Sequence, residues 1–163
     1  MGSCGLLKIA CIVFLFCAVT VIPSHAQTFK TLVSFDKTNG AMPDGPLIQG
    51  KDGNLYGMTL EGGPADAGTI FKITQKGKLT TLYSFCAQHG CPDGYEPYGG
   101  LVQATDGDFY GTTAGLGGPR GTVLKITATG TLTTLVRGLV FPNGALVQAN
   151  DGNFYGTTES GGR

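Results

Sequence analysis

Residues 101–113 read LVQATDGDFYGTT, and the chain writes this stretch three times, the other copies being LIQGKDGNLYGMT at 47–59 and LVQANDGNFYGTT at 146–158. The second and third copies agree at 11 of 13 positions and the first agrees with the second at 7, which marks internal duplication. In each copy a short apolar strand runs into an Asp-Gly pair, Asp52-Gly53, Asp106-Gly107 or Asp151-Gly152, and then into a second strand ending in Gly-x-Thr. Asp and Gly tolerate the positive φ that a tight turn between right-twisted strands requires, so each copy is predicted to be a β-hairpin. These six residues are assigned a structural role in the turn.

Downstream of the hairpin lies a second repeated stretch, GTIFKITQKGKLTTLYSF at 68–85 and GTVLKITATGTLTTLVRG at 121–138. Each contains two β-rich runs around a turn, with Gly77 and Gly130 at equivalent places. A unit therefore holds four strands. The first unit is expected to place them at about 47–50, 54–59, 69–74 and 79–85, the second at about 101–104, 108–113, 122–127 and 131–136. Successive Asp-Gly turns are 54 and then 45 residues apart, read from positions 52, 106 and 151. Four antiparallel strands in that length is the size of a β-propeller blade. Val123, Leu124, Ile126, Phe109 and Tyr110 put apolar groups on both strand faces, as a blade covered by neighbours on both sides needs.

Residues 29–35, FKTLVSF, match LTTLYSF at 79–85 in four of seven positions. They read as the last strand of a unit whose earlier strands are missing, the kind of segment that closes a circular array. Before them, residues 1–26 have the pattern of a secretory signal peptide. Lys8 precedes an apolar core, and Ser24 and Ala26 stand where a signal peptidase reads small residues. The apolar run of about 14 residues is short of the roughly 20 that a membrane span needs. The segments are thus a leader (1–26), an N-terminal closing strand and connector (27–46), unit one with its connector (47–100), unit two with its connector (101–145), and a truncated unit three (146–163).

Without the leader the chain keeps ten Lys and Arg against eleven Asp and Glu, with no basic block, acidic tail or basic amphipathic helix. Neutralising phosphates needs clustered Lys and Arg, so nucleic acid is not an expected partner. The abundant Gly, the absence of Trp and the Thr, Val, Ile and aromatic residues between the glycines favour short strands and many turns.

The run L-V-Q-x-x-D-G-x-F-Y-G-T-T followed by G-T-V-x-K-I-T-x-x-G-x-L-T-T-L closely resembles the GloVer (Gloeobacter/Verrucomicrobia) repeat family of exported bacterial proteins. The D-G-x-(L/F)-Y-G-T core is also loosely similar to the blade motif of sensor-kinase propellers. The family resemblance implies a propeller-like exported repeat protein with a variable C-terminal anchor, and it brings no established activity. Against a complete member, the third unit stops at Arg163 after TTESGGR, so the sequence reads as a fragment that cannot close a ring of four to eight blades by itself.

Residues with reactive chemistry are few. Cys86 and Cys91, in CAQHGC, lie in a connector of a chain expected outside the cytoplasm and are read as a disulfide. His89 between them is read as a loop residue, and zinc on this trio is disfavoured because a fourth ligand is missing. The Asp residues at 52, 106, 108 and 151 are read as turn formers before calcium ligands. Glu61, Asp66 and Glu96 lie in loops, and nothing pairs them as a hydrolase would require. Tyr56, Tyr110 and Tyr155 recur at one repeat position and are expected to pack between blades, bonding through their hydroxyls. Tyr95 and Tyr98, in GYEPYGG, are the candidates for surface contact. No catalytic, cofactor or metal residue is assigned. The expected protein is an all-β, propeller-like scaffold at the bacterial surface or secreted, binding an extracellular glycan or protein and anchored through a C-terminal segment. The alternative is a propeller lyase or glycosidase acting on extracellular polysaccharide.

Overall fold

The computed structural model describes residues 29–115 and 121–161. The leader at 1–26 lies outside them. The chain divides into the units Met1–Lys30 and Thr31–Arg163, and all the architecture described here belongs to the second.

Ten strands form in chain order: β1 (Ile48–Gln49), β2 (Leu55–Thr59), β3 (Thr69–Ile73), β4 (Leu79–Ser84), β5 (Val102–Gln103), β6 (Phe109–Thr113), β7 (Gly121–Ile126), β8 (Leu132–Leu139), β9 (Val147–Gln148) and β10 (Phe154–Tyr155). They make two four-stranded antiparallel meanders, β1-β2-β3-β4 and β5-β6-β7-β8, and a two-stranded β9-β10 pair. This is an all-β array of propeller-like blades, two complete and one begun. Seven of the eight strands expected in the complete blades fall within two residues of their expected limits. The exception, β8, runs on to Leu139, and its pairing with β7 shifts register between Gly121 and Thr122 and between Val123 and Leu124.

The hairpin turns use Asp and Gly differently from the expectation that both supply positive φ. Only the glycines adopt it, at 79° for Gly53, 90° for Gly107 and 83° for Gly152. The Asp carboxylates instead hold the loop closed, Oδ1 accepting the N–H of Asn54, Asp108 or Asn153 at 3.1, 3.1 and 2.9 Å. Gly53 N–H returns to the Gly50 carbonyl and Gly50 N–H to Asn54, so the loop is a three-residue turn with a glycine bulge.

The repeated Thr residues explain the two Gly-Thr signatures. Thr59 and Thr69 share a buried hydroxyl hydrogen bond of 2.8 Å across β2 and β3, as do Thr113 and Thr122 across β6 and β7. The blades then pack through aromatic rings. Tyr56 stacks on Phe109 and Tyr110 on Phe154, both with centroids 4.1 Å apart. Tyr56, Met58, Ile70 and Phe85 from the first blade meet Leu101, Phe109, Leu124 and Ile126 from the second in one core cluster. A polar seam runs beside it, with Gln103 Oε1 accepting Lys51 N–H at 2.8 Å and Gln148 Oε1 accepting Thr105 N–H at 2.9 Å.

Residues 31–36 make no strand pairing. Their position is nonetheless that of a fourth strand. A β-carbon added to Gly77 would lie 2.8 Å from the Leu32 carbonyl oxygen, as one on Gly130 would lie 2.6 Å from that of Leu82 in β4. Phe35 meets the ring of Phe71 edge-on at 5.0 Å, while Phe85, its sequence counterpart, joins the core with Leu124.

Candidate binding face

The Asp-Gly turns stand at one end of the blades and the inter-blade connectors at the other. At the Asp-Gly end every turn carboxylate is engaged. Tyr56, Tyr110 and Tyr155 hydroxyls donate to Asp52, Asp106 and Asp151 Oδ2, each at 2.8 Å. In the second blade Asp108 replaces Asn, and Lys125 answers the added charge at 2.7 Å from Asp108 and 3.0 Å from Asp106. Burial works to raise the Asp52 carboxyl, but hydrogen bonds from Asn54 and Tyr56 outweigh it and hold it below the usual carboxylate range. The Tyr110 and Lys125 bonds likewise depress Asp106, and the Asn153 and Tyr155 bonds depress Asp151. These groups serve the turns, and no cluster of three metal-ligating side chains occurs among the described residues.

The connector end is built differently. Each connector closes with the frame x-Pro-z-Gly before the first strand of the next blade: Met42-Pro43-Asp44-Gly45, Glu96-Pro97-Tyr98-Gly99 and Phe141-Pro142-Asn143-Gly144. The x residue takes positive φ in all three, at 53°, 55° and 47°, a conformation costly for a side chain that bears a β-carbon. It is held there because its carbonyl accepts the N–H of Leu60, Ala114 or Glu159 from the following hairpin, at 2.9, 2.9 and 3.0 Å. Proline anchors the turn backward. Pro97 lies against Gly68 and Pro142 against Gly121, so closely that a β-carbon on either glycine would meet the proline ring at 2.6 or 2.5 Å.

The z residues Asp44, Tyr98 and Asn143 are exposed. Their turns abut. A β-carbon on Gly45 would lie 3.2 Å from the Gly99 carbonyl oxygen, and one on Gly99 would lie 2.8 Å from that of Gly144. Tyr98 was expected from the sequence, but this frame, whose Pro and Gly recur at fixed distances before Leu47, Leu101 and Leu146, was not.

The connector between the two complete blades carries the Cys86–Cys91 disulfide. Asp93 organises it, its Oδ2 accepting Tyr83 hydroxyl at 2.8 Å and Cys86 N–H at 2.9 Å. Arg137 Nε closes the connector by donating to the Pro92 carbonyl at 2.7 Å. Neither residue was singled out in the sequence, where nothing marks a lone Asp or Arg. Tyr95 is half-buried against the core cluster, which leaves Tyr98 as the exposed member of the pair. His89 is exposed. Of the loop acids, Asp66 caps Gly62 N–H at 2.9 Å, and Glu61 forms a backbone bridge with Ala41.

No curated protein matches the chain. Among solved structures, it is similar to an X-ray structure whose description names a gluconolactonase only by inference, with 18% identity and a TM-score of 0.51. That likeness covers 69% of this chain and 40% of the other, and at such low identity it concerns the fold alone. The sequence over residues 18–163 matches the Gloeobacter/Verrucomicrobia repeat. Two complete blades, a third begun, and a match running across all of them make this chain a member of the Gloeobacter/Verrucomicrobia repeat family.

Proposed function

We propose that this protein is an exported repeat scaffold whose connector end binds an extracellular partner. One observation carries the reading. The positions that tie the strands within each blade repeat with the same chemistry, Tyr on Asp and Thr on Thr. The x and z positions of equivalent turns instead carry Met, Glu and Phe, and Asp, Tyr and Asn. Positions hydrogen-bonded within each blade repeat their residue; exposed positions that differ on a constant frame suit recognition. The leader pattern at 1–26 and the Cys86–Cys91 disulfide support an oxidising, extracytoplasmic setting.

The test joins the chain to alkaline phosphatase, which is active only outside the cytoplasm, with and without residues 1–26. Activity that requires those residues, together with protease cleavage of the tagged chain on intact cells, is the expected result. A fusion that stays inactive and protected would remove the exported-scaffold reading.

A further inference from the structure

We propose that Asp44, Tyr98 and Asn143 form one continuous strip that binds a neutral oligosaccharide. The inference rests on the binding-scaffold reading and names a ligand class for it. All three side chains are exposed, and none makes a hydrogen bond or ion pair among the described residues. The contrast with the opposite end is direct, because there each turn carboxylate is taken up by a tyrosine hydroxyl. The strip is also fixed in place. Successive turns touch at Gly45, Gly99 and Gly144, where a β-carbon would collide or crowd, and their x residues are held at positive φ by the next blade. Side chains with no internal work, on a frame held at both ends, are suited to an external ligand with little loss of conformational freedom.

The side-chain types narrow that ligand. Tyr98 is 43% exposed, and a tyrosine ring has a flat apolar face with a polar rim, which fits the C–H face of a pyranose. Asp44 accepts hydrogen bonds from hydroxyls, and Asn143 both donates and accepts. A pair of hydroxyls on a sugar ring satisfies such groups without bringing charge to the surface. A polyanionic glycan would instead place its carboxylates or sulfates beside Asp44, a repulsive juxtaposition. Because adjoining turns are in contact, the strip suits a linear oligomer lying across several turns better than a single sugar.

Titration calorimetry on the full chain tests this with four probes: neutral hexasaccharides of glucose and of mannose, hexagalacturonate, and oligolysine. At least one neutral hexasaccharide is expected to bind. Y98A should weaken it about tenfold, and D44A or N143A several-fold each, while Y98F keeps the ring and stays within about twofold. Q75A, in the β3–β4 turn at the other end, should leave affinity unchanged. Circular dichroism checks that the exposed substitutions leave the fold intact. Failure of both neutral sugars to bind, or binding indifferent to D44A, Y98A and N143A, overturns the proposal. Binding of hexagalacturonate or oligolysine alone, lost in Y98A, also overturns the neutral-sugar inference but leaves the scaffold reading standing. The phosphatase fusion fails or succeeds independently of all these outcomes.

Discussion

Tyr56 and Phe109 stack across the boundary between the two complete blades at 4.1 Å with 30° between their planes. Both side chains are fully buried, and the Tyr56 hydroxyl is held by Asp52 at 2.8 Å. F109A is therefore expected to cost about 3–5 kcal/mol. Y56F, which keeps the ring and loses only a charge-assisted hydrogen bond, should cost about 1–2 kcal/mol. Urea unfolding of Y56A, F109A and the double variant should give a coupling of about 0.5–1.5 kcal/mol. Strictly additive losses would mean that the two rings share a core without acting on each other.

Gly130 and Gly107 separate backbone strain from contact between blades. Both take positive φ, 96° and 90°, but a β-carbon on Gly107 meets nothing within 4 Å, whereas one on Gly130 meets the Leu82 carbonyl oxygen at 2.6 Å. G107A should cost about 1–2 kcal/mol, the ordinary penalty for a left-handed backbone. G130A should cost more, because β4 of the preceding blade must shift as well. Equal losses in thermal or urea unfolding would show that this approach between blades is easily relaxed.

Alkaline pH should loosen the fold before it affects the polypeptide chemically. Burial, followed by the bond to Asp52, raises the Tyr56 hydroxyl to about 12, and burial with Asp93 does the same for Tyr83. Unfolded tyrosines ionise near 10, so the unfolded state loses these protons first. The corresponding stability is full below about pH 10 and is lost as pH rises toward about 12, on the order of 2 kcal/mol for the buried Tyr56. Unfolding free energy measured across this window should fall with pH, and Y56F should flatten the slope. At the acid end, the depressed carboxyls of Asp52, Asp106 and Asp151 contribute stability above about pH 4 that disappears as pH drops through their lowered values.

The disulfide closes a loop with a sequence separation of only 5, so removing it should cost at most about 2 kcal/mol by the chain-entropy argument. Asp93 accepts the Tyr83 hydroxyl and Cys86 N–H, bonds that need no crosslink, and both cysteines lie outside the strands. C86S/C91S should consequently unfold in one transition at slightly lower urea. Loss of all β-sheet signal in that variant would assign the connector a larger part in folding.

Beside β10 lies an apolar cleft of about 330 Å³, lined in part by Tyr110, Val123, Leu135, Val136, Leu146 and Phe154. In the first blade the counterparts of Tyr110 and Val123 are Tyr56 and Ile70, both fully buried against the second. Val136 and Val147 are instead 44% and 63% exposed. The isolated chain should bind a hydrophobic dye and associate as its concentration rises. V136K/V147K should reduce both effects; unchanged sedimentation would place the contact elsewhere.

The strands were legible because Asp-Gly, Gly-Thr and the apolar runs repeat in the sequence with their local structure. Contacts between blades were less so. That Tyr56 meets Phe109, one blade on, follows from stacking of units, and no period within a unit encodes it. The roles of the connectors were hidden by their unequal lengths. The insertion around Cys86–Cys91 obscures the common x-Pro-z-Gly frame, so Tyr95 and Tyr98 looked alike although one packs on the core and the other faces out. Asp93 and Arg137 act only through partners that folding supplies.

The glutamine seam gives the row of blades a direction. Lys51 N–H is received by Gln103 and Thr105 N–H by Gln148, and among the described residues both seam bonds run from one blade to the next. One flank of the row is thus chemically a donor and the other an acceptor, and two like flanks cannot join through this seam. Any self-association that extends the pattern must be head-to-tail, yielding a closed ring or an open filament but not a twofold dimer.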